Sequence, residues 1–135
     1  MTLYADANAI LKLYVVEDDS EAADAILGSD PVWITGFHSL VEVRRNLARL
    51  LDGLDLEDAQ QQFAADWEAR EAIELDRHVC QRAAALAERT GVRSLDALHL
   101  GAAEVAGATE GTPVVTFDRR LAGAARSLGW DVLGA

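Results

Sequence analysis

The chain has 135 residues, half of them hydrophobic but only 6% aromatic, and a net charge of −11. That length holds one compact domain, residues 1–135, whose core must be mostly Ala, Leu and Val. The single cysteine, Cys80, excludes an intramolecular disulfide and a cysteine-rich zinc site, and its helical surroundings predict a buried, inert thiol.

In chain order, residues 2–5 form a short apolar run ending at Asp6, which predicts a buried strand. Asn8 to Val15 reads as a short helix, and Ser20 to Leu27 as a second one stopped by Gly28. Residues 31–35, Pro-Val-Trp-Ile-Thr, are strand-like. His38 to Leu51 is helical, with an apolar stripe of Leu40, Val43, Leu47 and Leu50. Asp55 is placed to cap the next helix, which runs to about Arg70, and Ala72 to Leu75 is a short strand or an extended connection. Arg77 to Thr90 is a helix closed by Gly91 where a left-handed residue is wanted. Ser94 is placed to cap a helix from Leu95 to about Val105. Thr112 to Phe117 is a second clear buried strand, Arg119 to Leu128 a helix ended by Gly129, and Trp130 to Leu133 a final strand. The alternation predicts an α/β/α sandwich with a mainly parallel central sheet flanked by helices. Trp33 and Trp130 are expected in the core.

The N-terminus has neither the basic region nor the apolar stretch of a signal peptide. No segment approaches the ~20 apolar residues of a membrane span. A cytoplasmic protein is therefore expected.

At first sight the acidity argues against a nucleic-acid substrate, since phosphate contacts draw on clustered Lys and Arg. It is unevenly distributed. Between Asp52 and Asp76 nine acids face Arg70 alone, so this segment carries −8 of the −11. Elsewhere bases stand beside acids: Arg44, Arg45 and Arg49 share a helix with Glu42, Arg93 precedes Asp96, and Arg119 and Arg120 follow Asp118. Lys12, Arg44, Arg45, Arg93 and Arg119 are the candidate contacts to an RNA backbone, although ordinary solvated helix surface explains any one of them equally well. Phe63 and Trp67, four residues apart, form a core or partner-facing stripe, and the acidic face of their helix suits a basic protein partner.

Four acids occupy suggestive places. Asp6 and Asp118 follow strands, where ligands of parallel sheets collect; Asp96 lies in the first turn of a helix; Glu42 flanks an apolar stripe. Acids gathered from separate elements repel one another unless a hard cation such as Mg²⁺ or Mn²⁺ compensates them. Such ions activate water for phosphodiester hydrolysis. Taken singly, Asp6, Asp96 and Asp118 are more simply read as helix-start residues and Glu42 as an exposed acid, and spacing alone does not bring the four together.

The residues around these acids resemble the PIN-domain family. Tyr4-Ala5-Asp6-Ala7-Asn8 is similar to the family's opening motif, His38-Ser39-Leu40-Val41-Glu42 to its second, Arg93-Ser94-Leu95-Asp96-Ala97-Leu98-His99 to its third, and Val115-Thr116-Phe117-Asp118-Arg119 to its fourth. The match runs in order over nearly the whole chain and is nearest to VapC-type toxins, the ribonuclease halves of bacterial VapB–VapC pairs. The resemblance implies that Asp6, Glu42, Asp96 and Asp118 converge on Mg²⁺ or Mn²⁺ as metal ligands and catalytic residues of an endoribonuclease. It implies Asn8 and Thr116 as polar residues steadying ligands or waters; Asn8 stands where many relatives carry Ser or Thr. It also implies a homodimer inhibited by a VapB-type antitoxin lying across the active-site groove.

Rival chemistries lack their parts. There is no Gly-rich phosphate loop and no Gly-x-Ser-x-Gly elbow. A covalent-aspartate phosphotransferase needs an acid where Asn8 stands, and a signalling receiver needs a lysine after the last strand, whereas Lys12 is the only lysine. His38, His78 and His99 show no metal-ligand spacing, and His99 is read as a structural or supporting residue one turn after Asp96. A catalytically inactive PIN-like scaffold that binds protein or RNA is the alternative, weakened by the intact set of four acids.

Overall fold

The computed structural model describes residues 2–29 and 32–135. Its five strands are β1 (Leu3–Ala5), β2 (Trp33–Gly36), β3 (Glu71–Ile73), β4 (Val114–Thr116) and β5 (Val132–Gly134). All pair in parallel in the order β3-β2-β1-β4-β5. The helices among the described residues are α1 (Ala7–Leu11), α2 (Ser20–Ser29), α3 (Ser39–Leu50), α4 (Gly53–Glu68), α5 (Arg77–Thr90), α6 (Ser94–Ala106) and α7 (Arg119–Ser127), with a 3-10 turn at Ala108–Glu110.

Strand alternation divides the core into two layers. Leu3 and Ala5 of β1 and Val115 of β4 pack with Ile10, Val43, Leu47 and Phe63 on one face of the sheet. Tyr4 and Val114 pack with Val79, Leu100, Leu121 and Trp130 on the other. Both faces of β1 and β4 are therefore covered, which is why these strands read as continuous apolar runs. The sandwich expected from the sequence is present, with a sheet that is wholly rather than mainly parallel.

Helix boundaries depend on short-range chemistry. Asp76 caps α5 by accepting the Val79 N–H at 2.9 Å, and Gly91 closes it at φ 77°. Two expected caps are not used. Asp52, not Asp55, precedes α4, because Gly53 at φ 55° turns the chain into the helix three residues early. Arg93, not Ser94, precedes α6 and makes no side-chain cap. Helix α1 stops at Leu11 rather than Val15, where Ser20 Oγ donates to Val15 O and accepts from the Glu17 N–H, folding the chain back. Pro31, assigned to a strand from the sequence, lies outside the described residues; β2 begins at Trp33.

Trp33 and Trp130 are buried as expected. Cys80 is not: α5 buries Val79, Ala83 and Leu86, and one step round from Val79 turns the thiol to solvent. Phe63 is buried, while Trp67 remains half-buried over a groove. Among the described residues, no helix is long and apolar enough to cross a membrane.

Candidate active site

Strands β1 and β4 lie side by side at the centre of the sheet, but the helices that follow them leave to opposite faces. Helix α1 packs in the layer of Val43 and Phe63, and α7 in the layer of Leu100 and Trp130. This reversal opens a crevice at the carboxyl ends of the two strands. Asp6 follows β1 there, and Asp118 stands two residues beyond β4.

The structure brings all four candidate acids into this crevice. Asp6, Glu42, Asp96 and Asp118 line one cleft of about 310 Å³, together with Asn8, Glu17, Asn46, Arg49 and His99. The capping explanation and the cleft explanation are both true of two of them. Asp6 Oδ1 accepts the Ala9 N–H at 2.8 Å at the start of α1, and Asp118 Oδ1 accepts the N–H groups of Arg120 at 2.8 Å and Leu121 at 3.2 Å at the start of α7. Thr116 links the pair. Its hydroxyl donates to Asp6 Oδ2 at 2.5 Å and its oxygen accepts the Asp118 N–H at 3.1 Å.

Glu42 is held differently. Its Oε1 lies 3.0 Å from His99 Nε2, and His99 Nδ1 lies 2.8 Å from the Tyr4 hydroxyl, which also accepts the Gly36 N–H at 3.1 Å. With Tyr4 donating to Nδ1 and Nε2 donating to Glu42, every polar atom of this chain is used. Asn46, one turn on, donates to the Glu42 backbone carbonyl at 2.9 Å and accepts from Arg49. Glu42, Asn46 and Arg49 follow i, i+4, i+7 spacing, a signal that Arg49 shares the face of Glu42.

The electrostatics are those of an uncompensated acidic pocket. Burial raises the Asp6 carboxyl above its ordinary value despite the opposing effects of His99, Thr116 and the Ala9 N–H, and the charge of Asp118 pushes it further up. Burial also raises Asp96, with the charges of Asp118 and Glu42 adding to the effect against the pull of His99 and Arg93. Burial opposes ionisation of Glu42 as well, but the His99 hydrogen bond and the two histidines overcome it and lower its pKa. Carboxylate oxygens at the edge of a buried crevice, with Asp6 and Asp96 both disfavoured as anions by burial and by the charge of Asp118, fit a hard divalent cation.

The bases distribute unequally. Lys12, expected as a surface contact to RNA, is only 7% exposed. Its ammonium binds Glu17 at 2.9 Å, approaches Asp19 at 3.8 Å and lies 5.8 Å from the centre of the Phe117 ring. A buried, paired lysine does not offer a free charge to phosphate, and the expectation is corrected. Its partner Glu17 is a fifth acid in the cleft that the sequence reading missed, with no motif to mark it. Arg49 is in the cleft, whereas Arg44 borders an apolar groove with Phe37, Leu40, Phe63 and Trp67, and Arg45 is exposed and bonds Asn46. Arg93 and Arg120 flank Asp96 along a second cleft of about 440 Å³, and Arg119 is exposed at the first turn of α7. Asn8 lines the acidic cleft.

A parallel sheet with carboxylates gathered at its switch point defines an α/β domain equipped to bind a divalent cation. The chain belongs to the PIN-domain family, whose model matches residues 3–127. It is 33% identical over 138 residues to ribonuclease VapC45 of Mycobacterium tuberculosis, covering 98% of this chain and 95% of that protein. Among solved structures it resembles FitAcB from Neisseria gonorrhoeae, with a TM-score of 0.73 and 20% identity over 98% of this chain and 96% of that one. It also resembles a toxin–antitoxin complex from Klebsiella pneumoniae, with a TM-score of 0.70 and 16% identity over 90% and 91% of the two chains. These structural likenesses show the shared fold.

Proposed function

We propose that the chain, acting as a single PIN-like domain over residues 1–135, is a Mg²⁺- or Mn²⁺-dependent endoribonuclease, the VapC-type toxin of a toxin–antitoxin pair. The observation that carries this reading is the meeting of Asp6, Glu42, Asp96 and Asp118 in one cleft. The 33% identity with a VapC ribonuclease over almost its full length supports RNA as the substrate class.

Asp6, Glu42, Asp96 and Asp118 would hold the ion, which when bound supplies a Lewis acid for phosphate oxygens and lowers the pKa of water. The protein's own residues set the geometry. Thr116 and the capping N–H groups fix Asp6 and Asp118, and His99 steadies Glu42. Arg49 supplies a positive charge at the cleft rim, and Arg93 with Arg120 extends it past Asp96; such bases suit the backbone of a single strand.

The partner surfaces are separate from the acids. The groove of Phe37, Leu40, Phe63 and Trp67, about 560 Å³ and rimmed by Arg44 and Glu68, is suited to an apolar segment of a VapB-type antitoxin. Val16 is almost fully exposed beside Leu13, Val15 and Leu50, an apolar surface that a second copy would cover in a homodimer. A cytoplasmic location follows from this role in attacking cellular RNA.

The test is chelator-sensitive cleavage of an RNA pool by the wild type and by Asp96→Asn. The wild type is expected to cleave with Mg²⁺ or Mn²⁺ and to stop with chelator, and the variant to be inactive. Equal cleavage by both would remove Asp96 from the site, and no cleavage by either would favour an inactive binding scaffold.

A further inference from the structure

Behind Glu42 stands a pair of histidines, of which the acidic cleft accounts only for His99. The rings of His38 and His99 lie with centroids 4.0 Å apart and their planes tilted by 42°, although the residues are far apart in sequence. Glu42 Oε1 lies 3.0 Å from His99 Nε2 and 3.6 Å from His38 Nε2, and one ligand atom from each of the three residues falls within 4.8 Å of the others. The His38 side chain is 8% exposed; the Leu95 backbone reaches its ring, but neither ring nitrogen makes a well-formed hydrogen bond. A buried imidazole without one forgoes about 1–3 kcal/mol for each unsatisfied polar group.

The fold makes room for this ring. A Cβ on Gly36 would lie 2.5 Å from His38 Cε1 and 2.7 Å from Nδ1, so the glycine at the end of β2 is what admits the imidazole. The donor set is also of a different kind from the cleft. Two imidazole nitrogens and one carboxylate oxygen suit a borderline ion such as Zn²⁺, whereas Mg²⁺ prefers oxygen alone. With Zn–N and Zn–O bonds of about 2.0–2.1 Å, a tetrahedral shell spaces its donors by roughly 3.3–3.4 Å. The two observed separations bracket that spacing.

We propose that His38, Glu42 and His99 form a transition-metal site, taking Zn²⁺ in preference to Mg²⁺, and that filling it withdraws Glu42 from the acidic cleft. His99 would bind through Nε2 in its other tautomer, with Nδ1–H donating to the Tyr4 oxygen, the outer partner that ligating histidines require. His38 would bind through Nε2, and solvent would complete the shell on the Glu42 side, where the carboxylate is 26% exposed. Because Glu42 belongs to both sets of donors, Zn²⁺ would repress the Mg²⁺-dependent cleavage; this consequence, unlike the binding, rests on the nuclease reading.

The experiment titrates Zn²⁺ into metal-free full-length protein against a chromogenic chelator, using wild type, His38→Gln and Asp96→Asn, with folding checked by circular dichroism. Wild type and Asp96→Asn should bind one Zn²⁺ alike, and His38→Gln at least about tenfold more weakly. Equal affinity in wild type and His38→Gln, or an equal loss in Asp96→Asn, would overturn the site. Imidazole proton resonances of the wild type give a reading free of substitutions: one equivalent of Zn²⁺ should shift both His38 and His99, and unmoved signals would refute the proposal. In a parallel assay at saturating Mg²⁺, one equivalent of Zn²⁺ should repress RNA cleavage by wild type and leave that of His38→Gln at its own zinc-free level. Tight Zn²⁺ binding in a protein that cleaves no RNA would uphold the metal site and count against the nuclease reading alone.

Discussion

Thr116 ties Asp6 to Asp118: one hydroxyl donates to the first carboxylate at 2.5 Å and accepts the backbone N–H of the second at 3.1 Å. The two acids are far apart in sequence, and the threonine sits at the end of a strand that neighbours β1. Replacing it by the near-isosteric valine keeps the shape and removes both bonds. Thr116→Val should lower apparent Mg²⁺ affinity in the cleavage assay by about 10–100-fold, the usual cost of losing a residue that orients a metal ligand. Thr116→Ser should restore most of it. A metal titration unchanged in Thr116→Val would show that the hydroxyl orients nothing.

Asp6 carries a stability cost in metal-free protein. Burial raises its folded pKa above the unfolded value of 3.8, so between those values the folded state holds more protons than the unfolded one. Stability from this group is therefore present below the unfolded pKa and is lost as pH rises through the folded pKa. At neutral pH Asp6→Asn should stabilise the chelator-treated protein by about 1 kcal/mol, on the scale of ordinary stabilising substitutions. It should also flatten stability against pH in the acid range, and it should abolish stabilisation by Mg²⁺. Thermal melts with chelator and with Mg²⁺, at several pH values, read all three effects.

Arg49 and Arg45 belong to the same helix but should differ in function. Arg49 lines the acidic cleft, and Arg45 does not. In an Asp96→Asn background, Arg49→Ala should weaken single-stranded RNA binding irrespective of sequence and reduce the salt slope by about 1, as for one lost phosphate contact. Arg45→Ala should change it less. Anisotropy titrations at several salt concentrations compare the two, and equal slopes would put RNA elsewhere.

Gly101 sets how closely α5 and α6 approach. A Cβ there would lie 2.9 Å from the Val79 carbonyl oxygen and 3.0 Å from Ala83 Cβ, both on α5. Backbone cannot step aside cheaply, so Gly101→Ala should destabilise by about 1–3 kcal/mol, as overpacking does. Urea denaturation measures this, and a neutral result would mean that the helices separate freely.

What the sequence revealed divides along physical lines. The strands β1 and β4 were legible because both are buried on two faces and so read as apolar runs, and α5 because Asp76 and Gly91 punctuate its ends. Asp52 was overlooked as the residue before α4 because its side chain makes no capping bond and Gly53 does the turning. Cys80 was misplaced because helix periodicity is unforgiving: one position round from Val79 is already solvent. The convergence of the four acids depended on strand order, which no local pattern encodes, and only the likeness of their motifs to PIN domains suggested it. The Tyr4–His99–Glu42 chain and the His38–His99 ring contact join residues across the fold, so sequence spacing carried no sign of either. Lys12 shows the opposite error, a charge taken for surface that is buried and paired with Glu17 and Asp19 in the turn after α1.

The position of β4 makes activity a report on completed folding. β1 is made first yet lies at the middle of the sheet, and its far edge stays open until β4 arrives after α6. The same late strand delivers Thr116 and leads to Asp118, so the pairing that covers the second edge of β1 also completes the acidic cleft. Long-range pairing of this kind is slow to form. A chain broken or stalled before residue 114 therefore lacks both the β1–β4 pairing and two of its site residues, Thr116 and Asp118. Synthesis of the first site residue, Asp6, and completion of the cleft by Asp118 are separated by most of the length of the fold.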